Sequence, residues 1–359
     1  MELALYHPRL GYYARAAQRS GRAGDFFTSV DVGPLFGELL ASQIAEMAQL
    51  MGGGGCGEPF DFVEVGAGNG RLSADVLRAA RDHHPELYQV IRAHLVEVSE
   101  AARGAQPTIL SDVLDRLATS AATLPHSFQG VLLANELLDA LPVHQVVMRS
   151  EGLREVYVHA SGSVLSAVEG PLSTPALASY LDELDIDLEP GWRAEISLQA
   201  RDWIADVARR LVRGFVLLID YGHPAHDLYS ASHAGGTLTA GARHTSLGPE
   251  ARPDSPAWLE RPGEVDLTAH VDFTTVRRAG ETAGLTYLAF LDQTYFILGL
   301  ADPVFSGAST GPAIPLKRRL ALKTLLLPGG LGSTFKVLIM GKGVGSPSLR
   351  GCSYRVRAT

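Results

Sequence analysis

Cysteine is nearly absent: Cys56 and Cys352 are the only two in 359 residues. That excludes a disulfide framework and a cysteine-rich zinc site, and it fits a reducing compartment. Lysine is almost as scarce, confined to Lys317, Lys323, Lys336 and Lys342, so arginine supplies nearly all the positive charge. Nor is positive charge in excess, since 31 Lys and Arg stand against 39 Asp and Glu for a formal net charge of -8. A diffuse basic surface for nucleic acid is thereby excluded. Long hydrophobic runs are also missing. The most apolar stretches, such as Phe215 to Ile219, fall far short of the ~18 residues of a membrane span, and no membrane insertion is expected. The N-terminus shows neither a basic-then-apolar secretory pattern nor an Arg- and Ser-rich amphipathic leader, so the expected location is the cytoplasm.

What the chain does have is alternation of apolar runs with helical patterns. Phe60 to Val65 is a short apolar run that stops at Gly66-Ala67-Gly68-Asn69-Gly70, after which Leu72, Val76, Leu77 and Ala80 recur at helical spacing. His94 to Val98, Val131 to Ala134 and Phe215 to Ile219 are further runs, each with polar residues at its end. The expectation is an α/β fold of Rossmann-like type, a mostly parallel sheet covered on both faces, with the site at the C-terminal strand edge. Residues 59–149 and 201–340 are expected to form this core. Residues 150–200 switch to alternating stretches and read as an inserted α+β region for substrate recognition. Residues 1–58, with a helix from about Pro34, are expected to cover the pocket. Residues 222–265, rich in Gly, Pro, His and Ser, read as a long loop or lid. Two late strands are expected near 285–290 and 334–340. The tail 341–359 lacks a core-forming pattern and is expected to be disordered.

The glycine turn is the central signal. Its spacing is Gly66-x-Gly68-x-Gly70 with Arg71 next, which departs from the dinucleotide fingerprint Gly-x-Gly-x-x-Gly and weakens a dehydrogenase reading. Glu64 completes Glu-x-Gly-x-Gly-x-Gly, a pattern that resembles the first motif of class I S-adenosylmethionine methyltransferases. The turn lets backbone approach the methionine portion of the ligand, and Glu64 can orient its cationic end through water or the turn amides. A tight turn without a ligand is the other reading. Glu97, at the end of the second run, has two oxygens with which to accept both ribose hydroxyls. Asp112, beyond a third strand, is a candidate for the adenine amino group or a surface helix cap.

Asn135-Glu136-Leu137-Leu138-Asp139-Ala140-Leu141-Pro142 follows a core strand. Glu136 and Asp139 stand at i and i+3, so in a helical turn the two carboxylates share one face. Such a pair suits a cationic or hydrogen-bond-donating acceptor, or else caps and solvates the turn. Thr28, Ser29 and Asp31 read locally as an N-cap cluster. Tyr221, His223 and His270 are candidate acceptor-facing residues, although a lone His is more often structural. No His-x-x-x-His pair suggests a metal, none is expected, and no nucleophile elbow supports hydrolase chemistry.

Six motifs then occur in order: His7-Pro8-Arg9-Leu10-Gly11-Tyr12-Tyr13, Gly24-Asp25-Phe26-Phe27-Thr28-Ser29, Glu64 to Gly70, Asn135 to Pro142, Asp220-Tyr221-Gly222-His223, and Pro262 to Phe273. In this the chain resembles the MidA-type S-adenosylmethionine-dependent methyltransferases, and is similar to the mitochondrial complex I assembly arginine methyltransferase. The resemblance covers about residues 5–340. It implies S-adenosylmethionine as cofactor and a pocket cover that includes Gly24, Asp25, Thr28 and Ser29. It carries over Gly66, Gly68 and Glu97 as cofactor residues, and Glu136 and Asp139 as site residues with the catalytic role; Glu64, Gly70, Asp112 and Asn135 are further cofactor candidates. Residues 240–261 and the tail after Met340 depart from the family's pattern.

The expected reaction is methyl transfer to a nitrogen or oxygen nucleophile, with a protein arginine as one acceptor and a small biosynthetic metabolite as the alternative. A carboxylate acceptor would be repelled by the acidic pair. A cofactor-binding assembly chaperone with little catalysis is the reading from another class, and a homodimer is compatible with the sequence.

Overall fold

The computed structural model describes residues 1–14, 28–52, 58–162, 164–242, 245–247, 256–306, 315–326 and 334–354. Strands β1 (Phe60–Val65), β2 (Ile91–Val96), β3 (Leu117–Ala121) and β4 (Phe128–Asn135) pair in parallel in the order β3-β2-β1-β4. The chain then builds a separate antiparallel sheet from β5 (His144–Arg149), β6 (Gly152–Ser161), β7 (Val164–Gly170) and β8 (Arg193–Ile196), with the helix Ala176–Glu183 between the last two. Strand β9 (Leu211–His223) returns to the central sheet, parallel to β4. Strands β10 (Thr239–Ala242), β11 (Thr245–Leu247) and β12 (Asp266–Thr268) form a small antiparallel sheet, and β13 (Val271–Asp272) pairs in parallel with the end of β9. Finally β14 (Thr286–Asp292) and β15 (Phe335–Lys342) complete the central sheet, β15 running antiparallel between β9 and β14.

Side chains alternate across a strand, so a run that is apolar throughout can be stable only where both faces are covered. Strand β9 meets that condition. Phe215, Leu217 and Ile219 pack on one face with the helices Leu35–Leu50, Arg71–His83 and Gln293–Ser306. Val216 and Leu218 pack on the other with the helices Leu198–Arg210 and Phe273–Thr282. Each fully buried Leu or Phe contributes roughly 1.5–3 kcal/mol by leaving water. The helix Leu35–Leu50 buries Phe36, Leu40, Ile44 and Ala48 at i, i+4 spacing, with Leu35, Leu39 and Met47 widening the buried face. It ends at Gly52, whose φ of 81° is the left-handed turn that glycine accepts without strain.

Strand order reverses between β1 and β4, and ligands of open α/β sheets bind at such a switch point, beyond the carboxyl ends of the strands. Strand β2 begins and ends earlier than its apolar run implies, because pairing of Val65 with Val96 closes the register there. Glu97 is therefore just past the strand, its amide still donating to the Ala121 carbonyl of β3 at 2.9 Å. The stretch 222–265 is not a bare lid, since it holds β10 and β11, strands too short to show a period of two. The tail also differs from expectation: Leu349 and Cys352 are buried against the core, and the turn Arg350–Cys352 packs on the helix Gln293–Ser306. Gln43 and Glu46 accept the backbone amides of Gly351 and Arg350 at 2.9 Å each. Long-range polar anchors of this kind leave no periodic trace in the tail itself. No helix among the described residues is long and apolar enough to cross a membrane.

Candidate functional site

A cavity of about 1530 Å³ opens at the C-terminal ends of β1, β2, β4 and β9. That is more than the roughly 300–1,000 Å³ of an ordinary small-molecule site, enough for a cofactor and an acceptor group together. The glycine turn, Glu97, the segment after β4, Tyr221, and Tyr6 and Tyr13 from the N-terminus all line it.

The glycine turn is shaped by backbone that other residues resist. Gly66, Gly68 and Gly70 have φ of 71°, 51° and 84°. The amide of Gly66 donates to the Val96 carbonyl at 2.9 Å, binding the turn to the end of β2. Two of the glycines do different work. A Cβ on Gly70 would lie 2.6 Å from Leu110 Cδ1, and Gly70 does not line the cavity. A Cβ on Gly68 would meet nothing within 4 Å and would project into the open space that Gly68 lines. Glu97 braces this cradle: Oε2 accepts the Gly68 amide at 2.9 Å and Oε1 the Ser99 amide at 2.7 Å. Each oxygen keeps a further lone pair for a ligand hydroxyl. Glu64 has a partner within the protein. Its carboxyl is buried, accepts the Ser73 hydroxyl, and is pushed up to about 7 by burial against the opposing Ser73 bonds. It ties β1 to the following helix while still bordering the cavity.

Beyond β4 the chain does not form the helical turn that i and i+3 spacing implied. Glu136 has φ of 54°, a left-handed conformation, so the two carboxylates are brought together by another device. Asp220, at the tip of β9, accepts the amides of Leu137 at 3.0 Å and Leu138 at 2.7 Å on one oxygen and that of Tyr221 at 2.8 Å on the other. These bonds fold the 136–139 segment over the strand tip. Burial, reinforced by the charge of Asp220, pushes Glu136 up to about 8. Burial and the charges of Asp220 and Glu136 hold Asp139 well above the carboxylate range. Burial raises Asp220 to about 7 against the backbone bonds that oppose it. Among the described residues no cationic side chain pairs with these three acids. Asn135 Nδ2 donates to Glu136 at 3.1 Å, while its Oδ1 is buried with no partner among the described residues. An acceptor atom without a donor, on the wall of an acidic cavity, fits the ammonium end of an amino-acid-bearing cofactor, and the open cradle at Gly68 fits its close backbone approach.

Other expected site residues are distributed unevenly. Thr28 lines the cavity, its amide and hydroxyl bound to Asp31, which accepts Arg71 at 2.9 Å. Ser29 does not line it. Its hydroxyl is buried against the Gln293 side chain, as the tight turn before the helix Leu35–Leu50 points it inward. Gly24 and Asp25 lie outside the described residues. Asp112 is a correction: it lies before β3, exposed, and its carboxylate is held by Arg78 at 2.7 Å and Arg81 at 3.2 Å. These arginines keep it far below the carboxylate range, so it is a surface ion-pair hub rather than a cavity residue. Tyr221 and His270 line the cavity and His223 does not. Burial, with the neighbouring His233 acting on both, pushes His223 and His270 down to about 4.

Two features were missed in the sequence. Asp220 was read only as part of a motif, though its position directly after an apolar strand marked it. Tyr6 donates to the Ala140 carbonyl at 3.0 Å and Tyr13 to Asp266 at 3.1 Å, which closes the N-terminus over the acidic segment. No local pattern announces such contacts.

A family model for S-adenosyl-L-methionine-dependent methyltransferases matches residues 39–291. The Bos taurus mitochondrial protein arginine methyltransferase NDUFAF7 is 31% identical over 378 residues, spanning 95% of this chain and 78% of its own length. Its Drosophila melanogaster homologue is 28% identical over 384 residues, spanning 96% and 80%. A crystal structure from Burkholderia thailandensis bound to S-adenosyl-homocysteine has a TM-score of 0.84 at 28% identity, covering 98% of this chain and 89% of that one. The mitochondrial relatives overturn the cytoplasmic expectation. A low cysteine count reports a reducing environment, and that chemistry does not single out the cytoplasm. Since the family match runs through the glycine turn, the strand tips and most of the central sheet, the chain belongs to the S-adenosyl-L-methionine-dependent methyltransferases, of MidA type.

Proposed function

We propose that the enzyme methylates a guanidinium nitrogen of a protein arginine. The observation that carries this reading is the pair of acids on the cavity wall, half-buried Glu136 and buried Asp139, backed by buried Asp220 and without a cationic partner among the described residues. Buried carboxylates cost several kcal/mol unless paired, and an incoming guanidinium is a planar cation with five donors that matches them. The relatives named protein arginine methyltransferases support the same acceptor.

S-adenosylmethionine, when bound, supplies a methyl group on a sulfonium, open to in-line attack. For this cofactor the residues that fit are Glu97 for the ribose diol, Gly66 and Gly68 for the close backbone approach, Asn135 for the ammonium end, and Thr28 at the cover. Within residues 1–58 the described Tyr6, Tyr13 and Thr28, which line the cavity, close the pocket, and residues 150–200 recognise the acceptor. Glu136 and Asp139 orient the guanidinium, so that the attacking nitrogen is aligned and much of the barrier is removed by positioning. A guanidinium does not lose its proton beforehand, with a pKa above ~12. The proton leaves the nitrogen as the nitrogen–methyl bond forms, and Glu136, ionised by the bound cation, takes it up.

The test is a labelled-methyl assay against cell lysate, separated into protein and small-molecule fractions. The expected result is label in protein, recovered as methylarginine after acid hydrolysis. Label confined to small molecules overturns the protein acceptor, and tight cofactor binding with no label in either fraction overturns the activity.

A further inference from the structure

Three histidines converge beside the cavity. His223 ends β9, His270 lies between β12 and β13, and His233 closes the turn Ala231–His233. Parallel pairing of Val271 with Gly222 and of Asp272 with His223 holds the first two in register. Each side chain offers a ring nitrogen, and the three nitrogens lie within 4.8 Å of one another. The ring centroids are 4.8, 5.3 and 5.7 Å apart, with planes inclined by 46°, 35° and 70°. Parallel stacking therefore does not account for the grouping.

Two details of hydrogen bonding fix which nitrogens are free. His233 Nδ1 lies 3.0 Å from the Asp227 backbone carbonyl. The Ser232 hydroxyl lies 3.2 Å from the same nitrogen; a carbonyl only accepts and a hydroxyl can do either, so a proton on Nδ1 satisfies both contacts and leaves Nε2 with its lone pair. Metal-ligating histidines are oriented in this way, the second ring nitrogen donating to a carbonyl or carboxylate. His270 Nδ1 is buried and has no hydrogen-bond partner among the described residues, although more than nine in ten buried polar groups have one. Its backbone is held by Thr237, whose hydroxyl accepts the His270 amide at 3.1 Å.

The geometry points to a divalent transition-metal site made by His223, His233 and His270, with Zn²⁺ as its occupant. Imidazole nitrogen is a ligand that suits zinc, and three protein ligands with a fourth position open to water or substrate is the arrangement of catalytic zinc sites. Zinc to nitrogen bonds of about 2.0–2.1 Å require the three nitrogens to draw in by roughly 1 Å, which side-chain rotation provides. His270 also lines the main cavity, so the metal adjoins the wall that faces the acceptor. The three histidines come from three separate elements, with no short His-x-x-x-His spacing among them, so no local sequence pattern marks the cluster.

The experiment uses the full chain, stripped with a chelator and titrated with zinc chloride by calorimetry and with Co²⁺ by visible absorption. One zinc per chain with a dissociation constant of about 1 µM or tighter, and the intense visible bands of four-coordinate cobalt, are expected. His233→Ala and His270→Gln should each weaken zinc by at least about 30-fold, while His159→Gln, on the exposed end of β6, leaves it unchanged. X-ray absorption at the zinc edge of the wild-type protein gives a reading that does not depend on how the variants fold: a shell of imidazole nitrogens supports the site. A sulfur or all-oxygen shell overturns it, as does unchanged zinc stoichiometry in a folded His233→Ala, His270→Gln double variant.

Discussion

Asp220 accepts the backbone amide of Leu138 at 2.7 Å, and this bond joins the tip of the central strand to the segment that carries Glu136 and Asp139. A left-handed residue such as Glu136, at φ 54°, costs roughly 1–2 kcal/mol. The amides gathered on Asp220 offset that cost. In Asp220→Asn one side-chain oxygen must serve both the Leu138 side and the Tyr221 side, and the amide nitrogen faces a donor at one of them. Unfolding free energy is expected to fall by about 1–3 kcal/mol, measured by urea denaturation, with turnover falling too because the acidic pair loses its support. Full stability in the variant would remove Asp220 from this role.

Glu136→Gln and Asp139→Asn act on the acceptor side. Each is expected to lower kcat by about 10²–10⁴-fold, the usual contribution of a positioned acid or base. Neither residue is assigned to the cofactor, so its dissociation constant by calorimetry should stay within about a factor of three. A parallel loss of cofactor affinity would place the acids at the donor instead.

The contrast between these residues and Asp112 indicates how far a sequence can be read. Strands, glycine turn and the Glu97 carboxylate follow from apolar runs and the polar residue that ends each one, because a parallel sheet places those ends along one edge. Asp112 satisfied the same rule of thumb by position but is claimed by Arg78 and Arg81 from a neighbouring helix, and such pairing is not encoded locally. Glu136 and Asp139 were correctly associated for the wrong reason: helical spacing suggested a shared face, whereas Asp220, some eighty residues later, folds the segment. The three-histidine cluster was invisible for the same reason, being assembled only when β13 pairs with β9.

Glu136 should also give stability a characteristic pH dependence. Its carboxyl rises from 4.5 to about 8 on folding, chiefly through burial. Between those values the folded chain holds a proton that the unfolded chain has released. The contribution to stability is thus fully present below about pH 4.5 and is lost as the pH rises towards 8. From pH 6 to pH 8.5 the fall in Tm should be larger in the wild-type protein than in Glu136→Gln by about 3 °C or more. His223 and His270, both depressed, act in the opposite direction by losing stability as pH falls below 6.5. They are common to both proteins and cancel in the difference. Parallel Tm profiles would mean that Glu136 titrates normally.

Gly68 and Gly70 separate cofactor contact from packing within one turn. In Gly70→Ala the new methyl would sit 2.6 Å from Leu110 Cδ1 and 3.0 Å from Leu95 Cδ2, at a φ of 84°. Overpacking and backbone strain together should cost about 2–4 kcal/mol. In Gly68→Ala the methyl meets nothing, and the φ of 51° is within the left-handed region at a cost of about 1–2 kcal/mol. The Gly68 variant should therefore lose only this smaller amount of stability and still fold. Its methyl occupies the open space where backbone approaches a ligand, so S-adenosylmethionine affinity should fall by at least about tenfold, equivalent to 1.4 kcal/mol. Calorimetric titration and urea denaturation of the two variants give the comparison. If Gly68→Ala binds cofactor like wild type, or unfolds as readily as Gly70→Ala, the cofactor does not rest against this glycine.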